Sequence, residues 1–189
     1  QIHIIDTPGY PDFIGEAISS LYAAETAVIN VNAFNGIIYN TRKLWEESTK
    51  HNLARVIIIN KVDMENVDWD GLLEKLKSAF GSNLHPVFLP DTTGLKVSTI
   101  VNCLDDAAQV PDAMKDRVEE TRTALIESLV ENDEALMEKY LEGETIGIDD
   151  LKGLLRTTIS QNLIVPILCT SVEKDLGVAE ALDFLTEYL

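Results

Sequence analysis

Residues 55–63 read Arg55-Val56-Ile57-Ile58-Ile59-Asn60-Lys61-Val62-Asp63, a β-branched apolar run that ends in a polar tetrad. A run this short and this rich in Val and Ile is the pattern of a parallel strand buried on both faces. The polar residues after it fall at the strand's carboxyl end, which is where open parallel sheets bind ligands. A carboxylate there can accept two hydrogen bonds from a purine that carries N1–H and a 2-amino group, which is guanine. Adenine offers neither donor in that geometry and would leave the carboxylate unpaired. The Lys61 stem can lie across a base plane, and Asn60 can tie neighbouring loops together. Taken alone, the tetrad reads equally well as a polar loop after a strand.

The same alternation repeats on either side. Strand-like runs occupy 2–6, 26–32, 55–60, 84–89 and 163–170, and helical periodicity fills 13–24, 39–52, 67–80 and 177–188. Strand, helix, strand, helix, strand is the order of a parallel sheet with covering helices. The middle departs from it. Residues 90–94 are turn-rich, and 95–104 read as a strand or hairpin edge. Pro111 then opens an acidic helical region running to about Leu141, with Gly143 as its stop. A helix over 149–161 leads back to the last strand. Residues 1–89 and 150–189 are expected to form the α/β core, and 90–149 an α-rich insertion subdomain.

Two further motifs follow strand-like runs. Asp6-Thr7-Pro8-Gly9 comes after the run that ends at Ile5. A carboxylate at such a strand end holds a hydrated magnesium ion through water, and a glycine soon after it lets a backbone N–H approach a phosphate. Alone, this tetrapeptide also reads as a capped strand-to-helix turn. Thr170-Ser171-Val172-Glu173-Lys174 follows the last run and offers backbone amides to a guanine carbonyl oxygen. The 54 residues from Asp6 to Asn60 fit two helices and two strands. Three loops in this order, each at a strand end, point to a guanine-nucleotide site.

These residues resemble those of a translational GTPase, most closely elongation factor G and its paralogues. The resemblance rests on Asp6-Thr7-Pro8-Gly9 with Asp12-Phe13, on Asn60-Lys61-Val62-Asp63, on Tyr140-Leu141-Glu142-Gly143-Glu144, and on Ser171 to Lys174 with Gly177-Val178. It covers essentially the whole chain, insertion included. It implies ribosome-stimulated GTP hydrolysis in the cytoplasm, with GTP or GDP and Mg2+ as ligands of the intact parent. Asp6 would sit near the magnesium through water and Gly9 near the γ-phosphate. Asn60, Lys61, Asp63, Ser171 and Val172 would surround guanine. The expected fold is an incomplete P-loop-GTPase-type α/β domain, a doubly wound and mostly parallel sheet that lacks its first strands.

Two departures qualify the resemblance. The family usually has His after Asp-Thr-Pro-Gly, where it positions the attacking water, and this chain has Tyr10. A phenol titrates far above neutral pH, yet it can orient a water by hydrogen bonding; the plainer reading is that Tyr10 packs over the loop. Paralogues resembling elongation factor G carry Tyr here. The second departure is that no G-x-x-x-x-G-K-[ST] sequence occurs in the 189 residues. That loop supplies the N–H cradle and the Lys for the β- and γ-phosphates. The chain therefore reads as the later two-thirds of a GTPase domain. Two charge-assisted hydrogen bonds of roughly 1.5–3 kcal/mol each give millimolar binding at best, so the isolated chain is expected neither to bind GTP usefully nor to hydrolyse it. The strands at 2–5 and 26–31 would be left with unpaired edges, to be closed up, filled by another chain in self-association, or otherwise rearranged.

Charge narrows the partners. Lys plus Arg number 15 against 32 Asp plus Glu, a formal net charge of −17. That disfavours a broad nucleic-acid face and an anionic membrane, and no apolar run approaches the roughly 20 residues of a membrane span. A basic protein is the more natural partner. In the acidic region Met114, Val118, Leu125 and Leu129 step by the same intervals as Asp116, Glu120, Glu127 and Glu131, offset by two positions. Two positions are about 200° on a helix, so one stripe should pack and the other face solvent. The resemblance points the acidic stripe at the ribosomal stalk protein. Cys103 and Cys169 form no CxxC pair, and His3, His51 and His85 are scattered, so two buried reduced thiols are expected and no zinc site. Two functional readings remain: part of a ribosome-dependent GTPase, or a non-catalytic GTPase-like module that docks a basic protein such as the stalk.

Overall fold

The structure is a computed structural model that describes residues 2–105, 108–144 and 146–189. In chain order its elements are α1 (Ile14–Leu21), β1 (Thr26–Asn32), α2 (Tyr39–Lys50), β2 (Ala54–Asn60), α3 (Trp69–Phe80), β3 (Leu84–Pro86) and β4 (Phe88–Pro90). There follow β5 (Ile100–Asn102), α4 (Lys115–Val130), α5 (Glu134–Leu141), α6 (Ile148–Ser160), β6 (Val165–Thr170) and α7 (Val178–Tyr188). Four strands form one sheet in the order β1-β2-β6-β3, and every adjacent pair is parallel. β4 and β5 pair separately as an antiparallel hairpin.

Burial explains the order. Val56, Ile57 and Ile59 of β2 are fully buried, and every residue of β6 is buried, so these two strands take the centre. Their register sets Asn32 of β1 beside Asn60 of β2, and Asn60 beside Thr170 of β6. The carboxyl ends of three strands therefore finish level, and their loops leave the sheet side by side. Behind the sheet, the Arg55 guanidinium lies 4.4 Å over the Trp45 ring and donates through Nε to Asn162 Oδ1 at 2.9 Å. This partnership lets a charged side chain start the buried strand run.

Four sequence expectations are corrected. Residues 2–6 form no strand: Ile2, Ile4 and Ile5 are 46%, 75% and 53% exposed. An extended segment gains ladder hydrogen bonds only from a neighbouring strand, and none of the described residues pairs with it. β1 has β2 on one side and no partner strand on the other among the described residues, so the two edges do not close on each other. The run 84–89 divides at Val87, whose N–H still reaches Ile167 O at 2.8 Å before the chain turns away to pair with β5. The acidic helix also divides. Asp133 leaves helical geometry and caps α5, accepting from Ala135 N and Leu136 N at 3.0 Å each.

Other expectations hold. Gly143 has φ +79 and ends α5, with Glu144 N donating to Lys139 O at 3.0 Å, a left-handed helix stop that favours glycine. Met114, Val118, Leu125 and Leu129 are buried, whereas Asp116, Glu120, Glu127 and Glu131 are exposed. Cys103 and Cys169 are buried free thiols, and burial pushes Cys103 up to about 12 and raises Cys169 as well. No helix among the described residues is long and apolar enough to cross a membrane.

Candidate functional site

β2 ends at Asn60, and Lys61 turns the chain with φ +66. That left-handed conformation costs a non-glycine residue about 1–2 kcal/mol. It lets Val62 drop back into the core, fully buried, while the Lys61 side chain stays exposed. Asp63 follows on the rim of the sheet. β6 ends at Thr170, beside Asn60, and the next loop closes on itself: Ser171 N donates to Leu176 O and Leu176 N to Ser171 O, each at 2.9 Å. Gly177 has φ +72, and a Cβ there would lie 2.6 Å from Cys169 O and 2.8 Å from Ile100 Cδ1. Both the backbone and the space require glycine at this position.

The two loops are joined through side chains. Ser171, fully buried, donates its hydroxyl to Asp63 Oδ1 at 2.5 Å. Asn60 Oδ1 accepts from Lys61 N at 2.7 Å, Thr170 Oγ1 at 3.2 Å and Val172 N at 3.3 Å. Asn60 is thus the tie between loops that its sequence position suggests. Asp63 is an acceptor-only group with one oxygen oriented by Ser171 and further lone pairs left over. That acceptor set fits a ring edge carrying two adjacent N–H groups. The Val172 amide, expected to meet a guanine carbonyl, is turned to Asn60 instead, and the Val172 side chain is 62% exposed.

The phosphate end is built differently. Asp6, Gly9 and Tyr10 are exposed, and Asp6 does not stand at a strand end because 2–6 is not a strand. Tyr10 is 75% exposed rather than packed over the loop. Asn40, buried at the start of α2, fastens this segment by donating Nδ2 to Gly9 O at 3.0 Å. A Cβ at Gly9 would meet no atom within 4 Å, so the chain's own packing does not demand glycine there. Gly9 itself is exposed, so the segment is open to solvent at this point. For magnesium, Asp6 offers a single exposed carboxylate, and the described residues contain no cluster of three His, Cys, Asp or Glu able to hold a metal. This suits only an ion that keeps its waters and takes phosphate oxygens as further ligands. A cleft of about 940 Å3 lined by Phe34, Arg42, Asp68 and Lys75 lies elsewhere; Asn60, Asp63, Ser171 and Val172 do not line it.

Three side-chain contacts carry no signal in the sequence. Thr170 lies in a motif quoted for its backbone amides, yet it is its hydroxyl that reaches Asn60. Asn40 reads only as part of a helical run. Lys174 lies inside a quoted motif, but its Nζ donates to the backbone carbonyls of Leu95 and Val97, far away in sequence.

Comparison with known proteins agrees with the geometry. The family described as the elongation factor Tu GTP binding domain matches residues 1–189. A crystal structure of a Thermus thermophilus protein superposes with a TM-score of 0.86 at 31% identity, covering 97% of this chain and 29% of that one. The chain therefore spans under a third of that protein's length. With the Asn60, Asp63 and Ser171 constellation at level strand ends and a family match over its whole length, the chain belongs to the elongation factor Tu GTP binding domain family, as a translation-factor GTPase domain.

Proposed function

We propose that these residues form the guanine-reading part of a ribosome-dependent GTPase of the elongation factor G type, acting in cytoplasmic translation elongation. The observation that carries this is Asp63, held by the Ser171 hydroxyl at 2.5 Å with Asn60 bracing both loops. Asp63 accepts from guanine N1–H and the 2-amino group, and Lys61 covers the base. At the other end Gly9 would present its amide to the terminal phosphate, and Asp6 would hold Mg2+ through water. Mg2+, when bound, neutralises charge on the phosphate oxygens. Tyr10, exposed beside that segment, orients the attacking water through its hydroxyl. The phosphate loop is not among the 189 residues, so hydrolysis is assigned to a full-length protein that contains one.

Residues 90–149 are the insertion subdomain in this reading. Its exposed carboxylates Asp116, Glu120, Glu127 and Glu131 dock a basic partner, the globular end of the ribosomal stalk protein. The same exposed stripe also favours a second reading, a docking module without catalysis.

The test is Asp63→Asn in the full-length protein. An amide presents one donor and one acceptor, which matches xanthine and mismatches guanine. GDP affinity should fall by at least about 100-fold while xanthosine diphosphate gains. Unchanged GDP affinity would remove Asp63 from the base site. Retained GTPase activity on the ribosome in the wild type, and none for a catalytically silent protein, separates the two readings.

A further inference from the structure

A lysine flanked by acidic residues normally keeps its ammonium in water or pairs with a carboxylate. Lys174 stands between Glu173 and Asp175, yet its Nζ donates to two backbone carbonyls, Leu95 O and, at 2.9 Å, Val97 O. Two of its donors held by neutral acceptors on one short loop make it a cross-link between that loop and the Ser171 loop. The same loop is fastened to the other guanine-reading segment. Gly94 N donates to Val62 O at 2.8 Å, and Thr93 Oγ1 to Val67 O at 3.0 Å. Its ends are closed by Asp91, which accepts from Thr92 N at 2.8 Å, Ser98 N at 3.1 Å and Ser98 Oγ at 2.6 Å. Burial opposes the charge on Asp91, and these hydrogen bonds outweigh it, so its carboxyl stays below the ordinary range.

The loop over 91–98 is thus a strap laid across both segments. Within the Ser171 loop the Lys174 amide donates to Ser171 Oγ at 3.3 Å, and that hydroxyl donates to Asp63. One residue therefore touches the strap with its side chain and the Asp63-orienting serine with its backbone. We propose that Lys174 is a positioning residue for guanine recognition: by pinning the strap it holds Ser171, and through it the Asp63 carboxylate, in the geometry that grips the base. This rests on the guanine-reading role of Asp63. Preorganised acceptors bind without the cost of ordering them at the moment of binding, so losing the pin should act mainly on nucleotide release.

The experiment uses the full-length protein with a fluorescent GDP, and follows binding and release by stopped flow with ADP as competitor. Lys174→Met should release GDP about ten times faster with association nearly unchanged. Lys174→Arg, which still donates to carbonyls, should recover most of that loss. Asp91→Ala opens the closure between the two ends of the strap and should also accelerate release, which keeps the test alive if Lys174→Met does not fold. Thermal unfolding of each variant is recorded alongside; a merely structural lysine would lower the unfolding midpoint without a selective change in release. Release within twofold of wild type for both Lys174→Met and Asp91→Ala, in a protein that still prefers GDP over ADP, overturns the role of Lys174 alone. A wild type that does not distinguish GDP from ADP overturns the guanine reading and this inference with it.

Discussion

Ser171 Oγ lies 2.5 Å from Asp63 Oδ1, a hydrogen bond between residues 108 positions apart in sequence. It fixes one carboxylate oxygen by a donor that has no exposure to solvent. The same hydroxyl oxygen accepts from the Lys174 amide. Asp63 therefore does not sample its rotamers freely before a base arrives.

Ser171→Ala should make that order visible. A hydrogen bond to a charged group contributes roughly 1.5–3 kcal/mol, which corresponds to about a 10- to 100-fold weaker GDP complex in the full-length protein. The loss should be smaller for inosine diphosphate, which lacks the 2-amino group and makes fewer contacts with Asp63. Measured side by side, the preference for GDP over inosine diphosphate should shrink. Equal weakening of both would place the serine's contribution in general folding rather than in base reading.

The clustering of Asn60, Asp63 and Ser171 was legible because its information is local. Each of Asn60, Asp63 and Ser171 closely follows a buried apolar run, and the register sets Asn60 beside Thr170, so the residues after these two strands leave the sheet together. The segment from Asp6 to Tyr10 was less legible. The run Ile2-His3-Ile4-Ile5 has strand composition, but composition cannot supply a pairing partner, and the segment stays outside the sheet. The single acidic helix failed for a different reason: its apolar stepping continues across Asp133, while that side chain competes for backbone amides and starts a new helix. The partners of the Lys174 side chain could not be read from sequence, since they are backbone carbonyls, which every residue type possesses.

Charge reversal on α4 tests the docking face. Glu127 is a poor choice, because it accepts from Tyr140 OH at 3.1 Å and helps join α4 to α5. Asp116 and Glu120 are exposed on the same stripe. In the full-length protein, Asp116→Lys with Glu120→Lys should slow association with the ribosomal stalk protein by about tenfold at low salt, with the deficit narrowing as salt rises. GDP affinity should stay at the wild-type level, since neither residue lies in the base site. A deficit independent of salt would mean that packing of α4, rather than its field, had been disturbed.

His85 gives the fold a dependence on acid that is separate from nucleotide. It sits in β3, where burial first, and the Lys77 charge on α3 second, lower its pKa from the ordinary 6.5 to about 4. The unfolded chain therefore binds a proton below about pH 6.5 that the folded chain refuses until about pH 4. Protons bound preferentially by the unfolded state make stability rise with pH across that window, so acidification from neutral pH destabilises the fold. Between about pH 7.5 and pH 5 this one residue accounts for about 2 kcal/mol. Urea unfolding of the chain at the two pH values should show that loss over and above the effect of its carboxylates. His85→Gln keeps a polar side chain of similar reach but does not titrate, and the difference between the two pH values should shrink by about the same amount. If wild type and His85→Gln lose stability in parallel, the histidine is protonated in the folded state and the strand tolerates its charge.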